Sequence, residues 1–226
     1  MACLAVTPVA DMHPTLRISE IFYSLQGETR TSGLPTVFVR LTGCPLRCQY
    51  CDTAYAFSGG EVMSLDSIVS RIAEYRPRYV CVTGGEPLAQ PNCIPLLERL
   101  CDVGYEVSLE TSGALDISMT DVRVSRVVDL KTPGSAEVAR NDYENIGHLT
   151  PNDQIKFVIC SREDYDWAVS KLIEYRLDAR VDEVLFSPSH GQVDARALAD
   201  WIVRDNLPVR LQLQLHKILW NDAPGH

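Results

Sequence analysis

The chain has 226 residues, of which 46% are hydrophobic and 23% charged, and this suits one globular domain that buries a full core. Its 21 Lys and Arg residues against 30 Asp and Glu residues give a formal net charge of −9. No nucleic-acid partner is therefore expected, since general binding of the phosphate backbone requires a basic surface. The sequence also holds no apolar run long enough to cross a bilayer, so no membrane association is expected.

The N-terminus and the cysteine content bear on the cellular compartment. Residues 1–15 are interpreted as an N-terminal extension. No signal peptide is predicted there, because the basic region that opens one is lacking. Eight cysteines without a secretory signal favour thiolate or cluster chemistry over a disulfide framework. We therefore expect a cytoplasmic protein, organised as a single domain over residues 1–226.

Short apolar runs rich in β-branched residues alternate with helical patterns along the chain. The predicted strands cover 16–24, 36–41, 79–83, 106–110, 126–130, 154–160, 183–186 and 209–215. The predicted helices cover 64–75, 91–103, 162–175 and 193–205, with Ser64 as the expected N-cap of the first. The polar stretch 134–152 has no helical period, so the crossover there should be short or irregular. This alternation predicts an α/β fold, a partial (β/α) barrel of about six mainly parallel strands with fewer helices than a full barrel.

Four predicted strands run directly into polar or glycine-containing segments. These segments are GGEP after 80–83, TSG after 107–110, KTPGS after 127–130 and SPSH after 185–186. In parallel α/β folds the functional site lies at the carboxyl ends of the strands. We therefore expect the four segments to share one rim.

Cys44, Cys48 and Cys51 form the most specific pattern, C-x3-C-x2-C, inside a loop at 44–60. Three soft thiolates can hold three irons of one [4Fe–4S] cluster and leave the fourth iron open to a small molecule. A structural zinc site is the alternative, although zinc requires four ligands and no fourth Cys or His lies close by in the sequence. The spacing favours the open cluster, and zinc stays as the alternative.

With the segment GGEP at 84–87, which follows a predicted strand, this cysteine motif resembles the signature of the radical S-adenosylmethionine superfamily. The resemblance implies a partial barrel of the radical SAM type, with S-adenosylmethionine bound at the open iron. One-electron cleavage of that cofactor would yield a radical that abstracts an unactivated hydrogen, while the protein positions the C–H bond and excludes water. Gly84, Gly85 and Glu86 would then lie at the methionine end of the cofactor.

Three further features resemble one family within that superfamily. They are the segment YSLQGE at 23–28, Arg40 before the cysteine loop, and the pair Asp52 and Thr53 directly after Cys51. The combination is similar to the 7-carboxy-7-deazaguanine synthases, lyases on the route to queuosine and related 7-deazapurines. These enzymes contract the ring of 6-carboxy-5,6,7,8-tetrahydropterin to 7-carboxy-7-deazaguanine and release ammonia.

The same resemblance implies roles for individual residues of these features. Pterin binding is implied for Leu25, Gln26, Gly27 and Arg40, and the adjacent Glu28 can accept N–H donors of the pterin. Thr53 would help to bind Mg²⁺. Because one hydroxyl is a weak magnesium ligand, substrate oxygens and waters would have to complete the octahedron.

The resemblance also implies that residues at the later strand ends bind S-adenosylmethionine. Thr111 is the exception, since it would contact the substrate. The later cofactor positions are Gly113, Asp129, Leu130, Lys131, Ser187, Pro188, Ser189 and His190. From the residues alone, Lys131 is equally well explained by a salt bridge on the rim, and His190 by an exposed loop.

The last predicted strand opens the C-terminal segment, a strand and tail over 209–226. Leucines alternate there with polar residues, which places Gln214 and His216 on one face. The polar face either meets solvent at the sheet edge or points into a pocket, where amides match the donor–acceptor edge of a pterin. Both interpretations stay open, and Gln214 and His216 are candidate substrate ligands under the second.

Two other functions share parts of this pattern. A radical SAM activase that forms a glycyl radical on a partner protein would share the cysteine loop and GGEP, but its open end should accept a peptide. A zinc-bound interaction module would share only the cysteines. The synthase resemblance further implies a flavodoxin or ferredoxin as reductant, and a homodimer.

Overall fold

One open sheet organises the part of the chain that the computed structural model describes, residues 14–221, 223 and 225. Its strands are β1 (Thr15–Leu25), β2 (Pro35–Leu41), β3 (Glu61–Ser64), β4 (Tyr79–Gly84), β5 (Glu106–Thr111), β6 (Ser125–Asp129), β7 (Gln154–Ile159), β8 (Glu183–Pro188) and β9 (Arg210–Leu211). They are hydrogen-bonded in the order β3-β1-β2-β4-β5-β6-β7-β8-β9.

Six neighbouring strands, β2 and β4 to β8, run parallel. The antiparallel strands β1 and β3 extend one side of this group, and the two-residue β9 extends the other. The prediction of a partial barrel with about six mainly parallel strands is therefore confirmed. Strand β3 was not predicted; it is only four residues long, and its pairing with Thr15–Ile18 is a long-range contact that no local pattern indicates.

The predicted helices are confirmed, with ends that differ by no more than two residues. They are α1 (Leu65–Glu74), α2 (Cys93–Val103), α3 (Arg162–Tyr175) and α4 (Ala195–Arg204). Ser64 caps α1 as expected, since its side chain accepts a hydrogen bond of 3.1 Å from the Ser67 backbone N–H. A short fifth helix, α5 (Leu215–Trp220), was not predicted.

Two apolar clusters pack the helices against the sheet. In the first, α1 and α2 bury leucine and isoleucine side chains against β1, β2, β4 and β5; in the second, α3 and α4 pack on β6, β7 and β8. Side chains of strand β7 point alternately to the two faces of the sheet. Ile155, Phe157 and Ile159 are buried in the second cluster. Lys156 and Val158 lie on the opposite face and line the cavity described below.

The stretch 134–152 is irregular, as predicted. It forms short 3₁₀ turns at Pro133–Ser135, Val138–Arg140 and Tyr143–His148. Buried Asn145 holds the segment in place, because its amide donates to the carbonyl oxygens of Gly113 and Leu115 at 3.0 and 2.9 Å. Side-chain hydrogen bonds thus replace the helical ladder here.

The C-terminal strand predicted over 209–215 is wrong beyond Leu211. After β9 the Gln212 backbone N–H still donates to Phe186 O of β8, at 2.9 Å. The Leu215 N–H instead donates to Gly27 O in the loop after β1, at 3.0 Å. The chain therefore leaves β8 and starts α5, so the strict alternation of faces does not exist there. Long-range hydrogen bonding to the loop after β1 overrides the local period-two pattern.

The two ends of the chain limit what the structure tests. Residues 1–13 of the predicted extension lie outside the described residues, whereas Thr15 already pairs with Ser64 in the sheet. In the described part of the chain, no helix has both the length and the apolar character needed to cross a bilayer.

Candidate active site

A cavity of about 440 Å³ lies at the carboxyl ends of the parallel strands. Its wall includes Arg40 from β2, Gly84 from β4, Glu110 and Thr111 from β5, Asp129 from β6, and Lys156 and Val158 from β7. The parallel arrangement thus brings residues from five strands to one rim.

Cys44, Cys48 and Cys51 line this cavity as half-buried free thiols. The loop that carries them is held by its own backbone: the Cys51 N–H donates to Cys48 O at 3.1 Å, and the Leu46 N–H donates to Cys44 Sγ at 3.4 Å. Burial raises the pKa of the Cys44 thiol, and raises that of Cys48 to about 11. Both thiols therefore need a bound cation to become thiolates at neutral pH.

This donor set fits an iron–sulfur cluster better than a single zinc ion. Within the described residues, no three His, Cys, Asp or Glu side chains converge closely enough to hold one metal ion. A [4Fe–4S] cluster spreads its irons over a larger volume and uses soft thiolates alone. Cys44, Cys48 and Cys51 match that requirement, and among the described residues no further cysteine lines the cavity as a fourth thiolate ligand.

The segment GGEP packs directly against the cysteine loop. A Cβ on Gly85 would lie 2.6 Å from the Gly43 carbonyl carbon and 2.8 Å from Cys44 Cβ, so a side chain cannot fit there. The Glu86 backbone N–H donates to Gly43 O at 2.8 Å. Glycine at position 85 is therefore what lets the end of β4 touch the loop that carries the cysteines.

Glu86 itself is fully buried and does not line the cavity. Its carboxylate accepts hydrogen bonds from Thr111 Oγ1 at 2.8 Å and from the Ser112 N–H at 2.7 Å. The Glu86 side chain therefore fixes the end of β5 relative to β4, and only its backbone stays near the cysteine loop.

Two buried polar atoms on the cavity wall beside the cysteines lack a hydrogen-bond partner among the described residues. They are the Tyr50 hydroxyl and Asp129 Oδ1. The other oxygen of Asp129 accepts from Lys131 Nζ at 2.8 Å. Buried polar groups are normally hydrogen-bonded, so this corner suits a polar cofactor such as S-adenosylmethionine.

All the predicted substrate residues lie on the wall of this cavity together with Thr53. They are Leu25, Gln26, Gly27, Glu28, Arg40, Thr111, Gln214 and His216. The end of β1 and the loop after it contribute four of them, and α5 with the residue before it contributes two. Gln214 and His216 line the cavity even though the strand predicted to carry them ends at Leu211.

Arg40 is held in a fixed orientation. Its Nε donates to Glu20 Oε1 at 2.7 Å, and the Tyr55 hydroxyl donates to the same oxygen at 2.7 Å. Burial alone would lower the pKa of Arg40, but Tyr55, Glu20 and Glu110 outweigh it and raise that pKa. The guanidinium therefore stays charged at the cavity wall.

Several predicted cofactor positions lie away from the cavity. Among the described residues, the cavity wall includes Gly85, Lys131, Ser189 and His190, but not Gly113, Leu130, Ser187 or Pro188. Leu130 packs in the second apolar cluster, and Ser187 is only 1% exposed. The structure therefore does not bring these four positions to the cavity wall.

Several charged residues of the cavity were not predicted from the sequence, including Glu20, Glu110, Lys156 and Lys217, and Asp52 was noted only as part of the cysteine motif. Lys156 was detectable, because it is a charged residue inside the apolar run of β7. It pairs with Glu28, and Glu28 Oε1 also accepts from Gln214 Nε2 at 2.8 Å. Lys217 was not detectable, since its helix was not predicted.

The short helix α5 forms part of the cavity wall. Lys217 Nζ is 3.0 Å from Asp52 Oδ2, and a Cβ on Gly27 would come within 3.4 Å of the His216 ring. Burial alone would raise the pKa of Asp52, but Lys217 outweighs it and lowers that pKa. Helix α5 is thus attached both to the cysteine loop and to the loop after β1.

Comparison with known proteins agrees with this geometry. Residues 38–202 match the model of the radical SAM superfamily. The 7-carboxy-7-deazaguanine synthase of Chlorobaculum tepidum is 44% identical over 215 residues, covering 93% of this chain and 97% of that protein. The synthase of the same name from Koribacter versatilis is 43% identical over 219 residues, covering 91% and 97%. The fold is similar to the crystal structure of QueE from Escherichia coli, with a TM-score of 0.72, 23% identity, and coverage of 88% of this chain and 94% of that one. The chain therefore belongs to the radical SAM superfamily and, within it, to the family of 7-carboxy-7-deazaguanine synthases.

Proposed function

We propose that this protein converts 6-carboxy-5,6,7,8-tetrahydropterin to 7-carboxy-7-deazaguanine with release of ammonia, as a radical SAM lyase of queuosine and 7-deazapurine biosynthesis. The observation that carries the proposal is the shared cavity: the three motif cysteines and the polar set around Gln26, Glu28 and Arg40 face the same space. A radical generated at the cysteines would therefore form next to the groups that bind the substrate.

The cofactors are one [4Fe–4S] cluster and S-adenosylmethionine, which supply the one-electron chemistry that starts hydrogen abstraction from the substrate. In the proposal, Cys44, Cys48 and Cys51 hold the cluster. Gly84, Gly85 and Asp129 line the space beside it for the methionine part of S-adenosylmethionine. No side chain of the protein is required to abstract the hydrogen.

The substrate is bound by complementary polar groups in the proposal. Arg40 presents its fork of donors to the carboxylate, for which guanidinium groups are well matched. Gln26, Glu28 and Gln214 offer acceptors and donors to the pterin edge. Helix α5 is joined to both flanking loops and would cover one side of the bound substrate in this proposal.

Thr53 is the proposed protein ligand of a Mg²⁺ ion. Its hydroxyl lies 3.7 Å from Cys51 Sγ and lines the cavity. One neutral oxygen leaves most of an octahedron to be filled. The substrate carboxylate and waters complete it in this proposal, so magnesium binding depends on substrate.

The two rival functions are less well supported. A glycyl-radical activase would need an open end that accepts a peptide, whereas α5 lines this cavity of about 440 Å³ and is joined to the loops beside it. A zinc-bound module would not account for membership of the radical SAM superfamily. Neither is favoured by an observation of its own.

Partners, assembly and location complete the proposal. A flavodoxin or ferredoxin would deliver electrons at the cysteine loop, where Pro45, Arg47 and Gln49 are exposed. We include a homodimer, a single domain over the whole chain and a cytoplasmic location. The cytoplasm is supported by the seven described cysteines, all of which are free thiols.

The test is anaerobic incubation of the reconstituted protein with dithionite, S-adenosylmethionine, Mg²⁺ and the carboxytetrahydropterin, followed by mass spectrometry. Formation of the deazaguanine acid with loss of ammonia is expected. Formation of 5′-deoxyadenosine without that acid would keep the superfamily and reject the substrate. A Cys48→Ala variant should lose both products together with the cluster absorption at roughly 400 nm.

A further inference from the structure

Lys156 is the one charged residue of β7, and it points to the cavity side of the sheet. Its neighbours Ile155 and Phe157 are fully buried on the opposite side. A lysine side chain that is only 13% exposed at the floor of a cavity carries a large desolvation cost. Such a residue is retained where its charge is matched by nearby anions.

The matching anion is Glu28, whose side chain is 11% exposed and ion-pairs with Lys156 through Oε2. Burial alone would lower the pKa of Lys156, but the carboxylates of Glu28, Asp129 and Glu110 outweigh it and raise that pKa. Lys156 therefore stays protonated, and the Glu28 carboxylate is held beside a fixed positive charge.

Glu28 is also fixed from a second direction. Gln214 Nε2 donates to its Oε1 at 2.8 Å, so each carboxylate oxygen has one protein partner. A carboxylate offers about four lone-pair positions, which leaves one acceptor position on each oxygen. Those two adjacent acceptors suit a ligand with two adjacent N–H donors.

A second carboxylate adds to the acceptor character of this wall. Glu110 accepts from Gln26 Nε2 at 3.3 Å and from Thr83 Oγ1 at 3.1 Å, and it too lines the cavity. The positive charge of Lys156 thus offsets the negative charge of these carboxylates, and its ammonium group offers no hydrogen-bond acceptor of its own. A heterocycle rich in N–H groups would match this surface, whereas a carbonyl in place of an amino group would meet a carboxylate.

From this geometry we infer that Lys156 is a positioning residue that sets substrate specificity: by holding Glu28 as an oriented carboxylate, it makes the site select a 2-amino-4-oxo pyrimidine edge over a 2,4-dioxo edge. The inference rests on the proposed function, because it takes the pterin as the ligand. It adds that the pyrimidine edge of the heterocycle is recognised, and that Glu28 and Lys156 together recognise it. Sites built around buried hydrogen-bonding groups reject analogues that leave those groups unmatched.

The experiment uses two stable probes that differ at one position, 6-carboxypterin and 6-carboxylumazine, which has a 2-oxo group in place of the 2-amino group. Neither carries a hydrogen at C6 for the reaction to remove. Binding is measured by anaerobic calorimetry on the reconstituted protein with S-adenosylmethionine present. The wild type should bind the 2-amino probe about 100-fold more tightly than the 2-oxo probe.

Lys156→Met removes the charge at similar length, and should weaken binding of the 2-amino probe at least about tenfold and reduce the ratio between probes to below about tenfold. Lys156→Arg should restore most of the ratio, because it keeps the charge. Glu28→Gln should also narrow the ratio, since an amide can donate to the 2-oxo group. Lys171→Met is the matched control, because Lys171 pairs with Glu174 on α3, away from the cavity.

The outcomes separate this inference from the function on which it rests. Absence of the deazaguanine acid in the mass-spectrometric assay would overturn the proposed function and the inference with it, whereas a wild type that makes the acid but does not prefer the 2-amino probe would overturn the inference alone. Wild-type discrimination that persists unchanged in folded, cluster-containing Lys156→Met would overturn the inference alone. If Lys156→Met does not fold, the Glu28→Gln ratio decides, and an unchanged ratio in that variant counts against the inference.

Discussion

Lys217 Nζ lies 3.0 Å from Asp52 Oδ2, so an ion pair joins helix α5 to the residue that follows the last motif cysteine. Lys217→Ala should loosen α5 and raise the KM for the carboxytetrahydropterin about fivefold, the equivalent of roughly 1 kcal/mol for a partly exposed ion pair. Anaerobic steady-state kinetics measure this. Leu219→Ala on the same helix is the control, since Leu219 is 53% exposed. Equal KM values for both variants would show that the ion pair does not hold the helix over substrate.

Gly85 should not tolerate even a methyl group. Gly85→Ala places a Cβ against Gly43 and Cys44, and overpacking of this kind typically costs about 1–3 kcal/mol. Because the clash falls on the cysteine loop, we expect a clear fall in iron bound per chain after reconstitution. Gly147→Ala is the matched control, since a Cβ there meets no atom within 4 Å. Normal iron content in Gly85→Ala would mean that the loop can shift without losing the cluster.

Arg40 should require its planar fork and not only its charge. Arg40→Lys keeps the positive charge but loses bidentate donation, so we expect KM for the substrate to rise about tenfold or more. The same kinetic assay compares it with Arg71→Lys, where the arginine side chain is 54% exposed and pairs with Glu74. A KM within error of the wild type would remove Arg40 from the substrate site.

The stability of the fold should depend on the buried pair of Arg126 and Asp153. Arg126 Nε donates to Asp153 Oδ1 at 2.9 Å, and the side chains are 6% and 0% exposed. Asp153→Asn leaves the guanidinium without its charge partner, which should lower the free energy of unfolding by about 3–5 kcal/mol. Urea denaturation of the apoprotein measures it.

Asp182→Ala is the control for that experiment. Asp182 pairs with Arg30 at the surface, 3.5 Å apart, with a side chain that is 48% exposed. A surface pair of this kind contributes about 0–1 kcal/mol. If both variants lost the same free energy of unfolding, burial would not be the reason that the pair of Arg126 and Asp153 stabilises the fold.

The scaffold was predictable because its signals are local. Strands such as Tyr79–Gly84 are continuous apolar runs, and α3 has apolar residues at helical spacing, so one period identifies each element. The cysteine loop was predictable for a chemical reason, since three thiolates at that spacing have few other uses. The Ser64 cap follows from the same kind of local rule.

The cavity wall was less predictable because its contacts are long-range. The pair of Lys156 and Glu28 joins residues 128 positions apart, and neither local pattern indicates the other. The C-terminal alternation predicted a strand, but the hydrogen bond from Leu215 N–H to Gly27 O redirects the chain. An alternating pattern shows which residues are polar and which are apolar. It does not show which backbone carbonyl, far away in the sequence, accepts a hydrogen bond from their N–H groups.

The hydrogen bond between Gln214 and Glu28 spans 186 residues, and it has a consequence for synthesis on the ribosome. Chains emerge from the N-terminus and fold as their segments become available. Strands β1 to β8 all precede residues 212–220 in the chain, so α5 is the last element to join the cavity wall. The C-terminal helix therefore takes its position only on a sheet and a loop after β1 that have already formed.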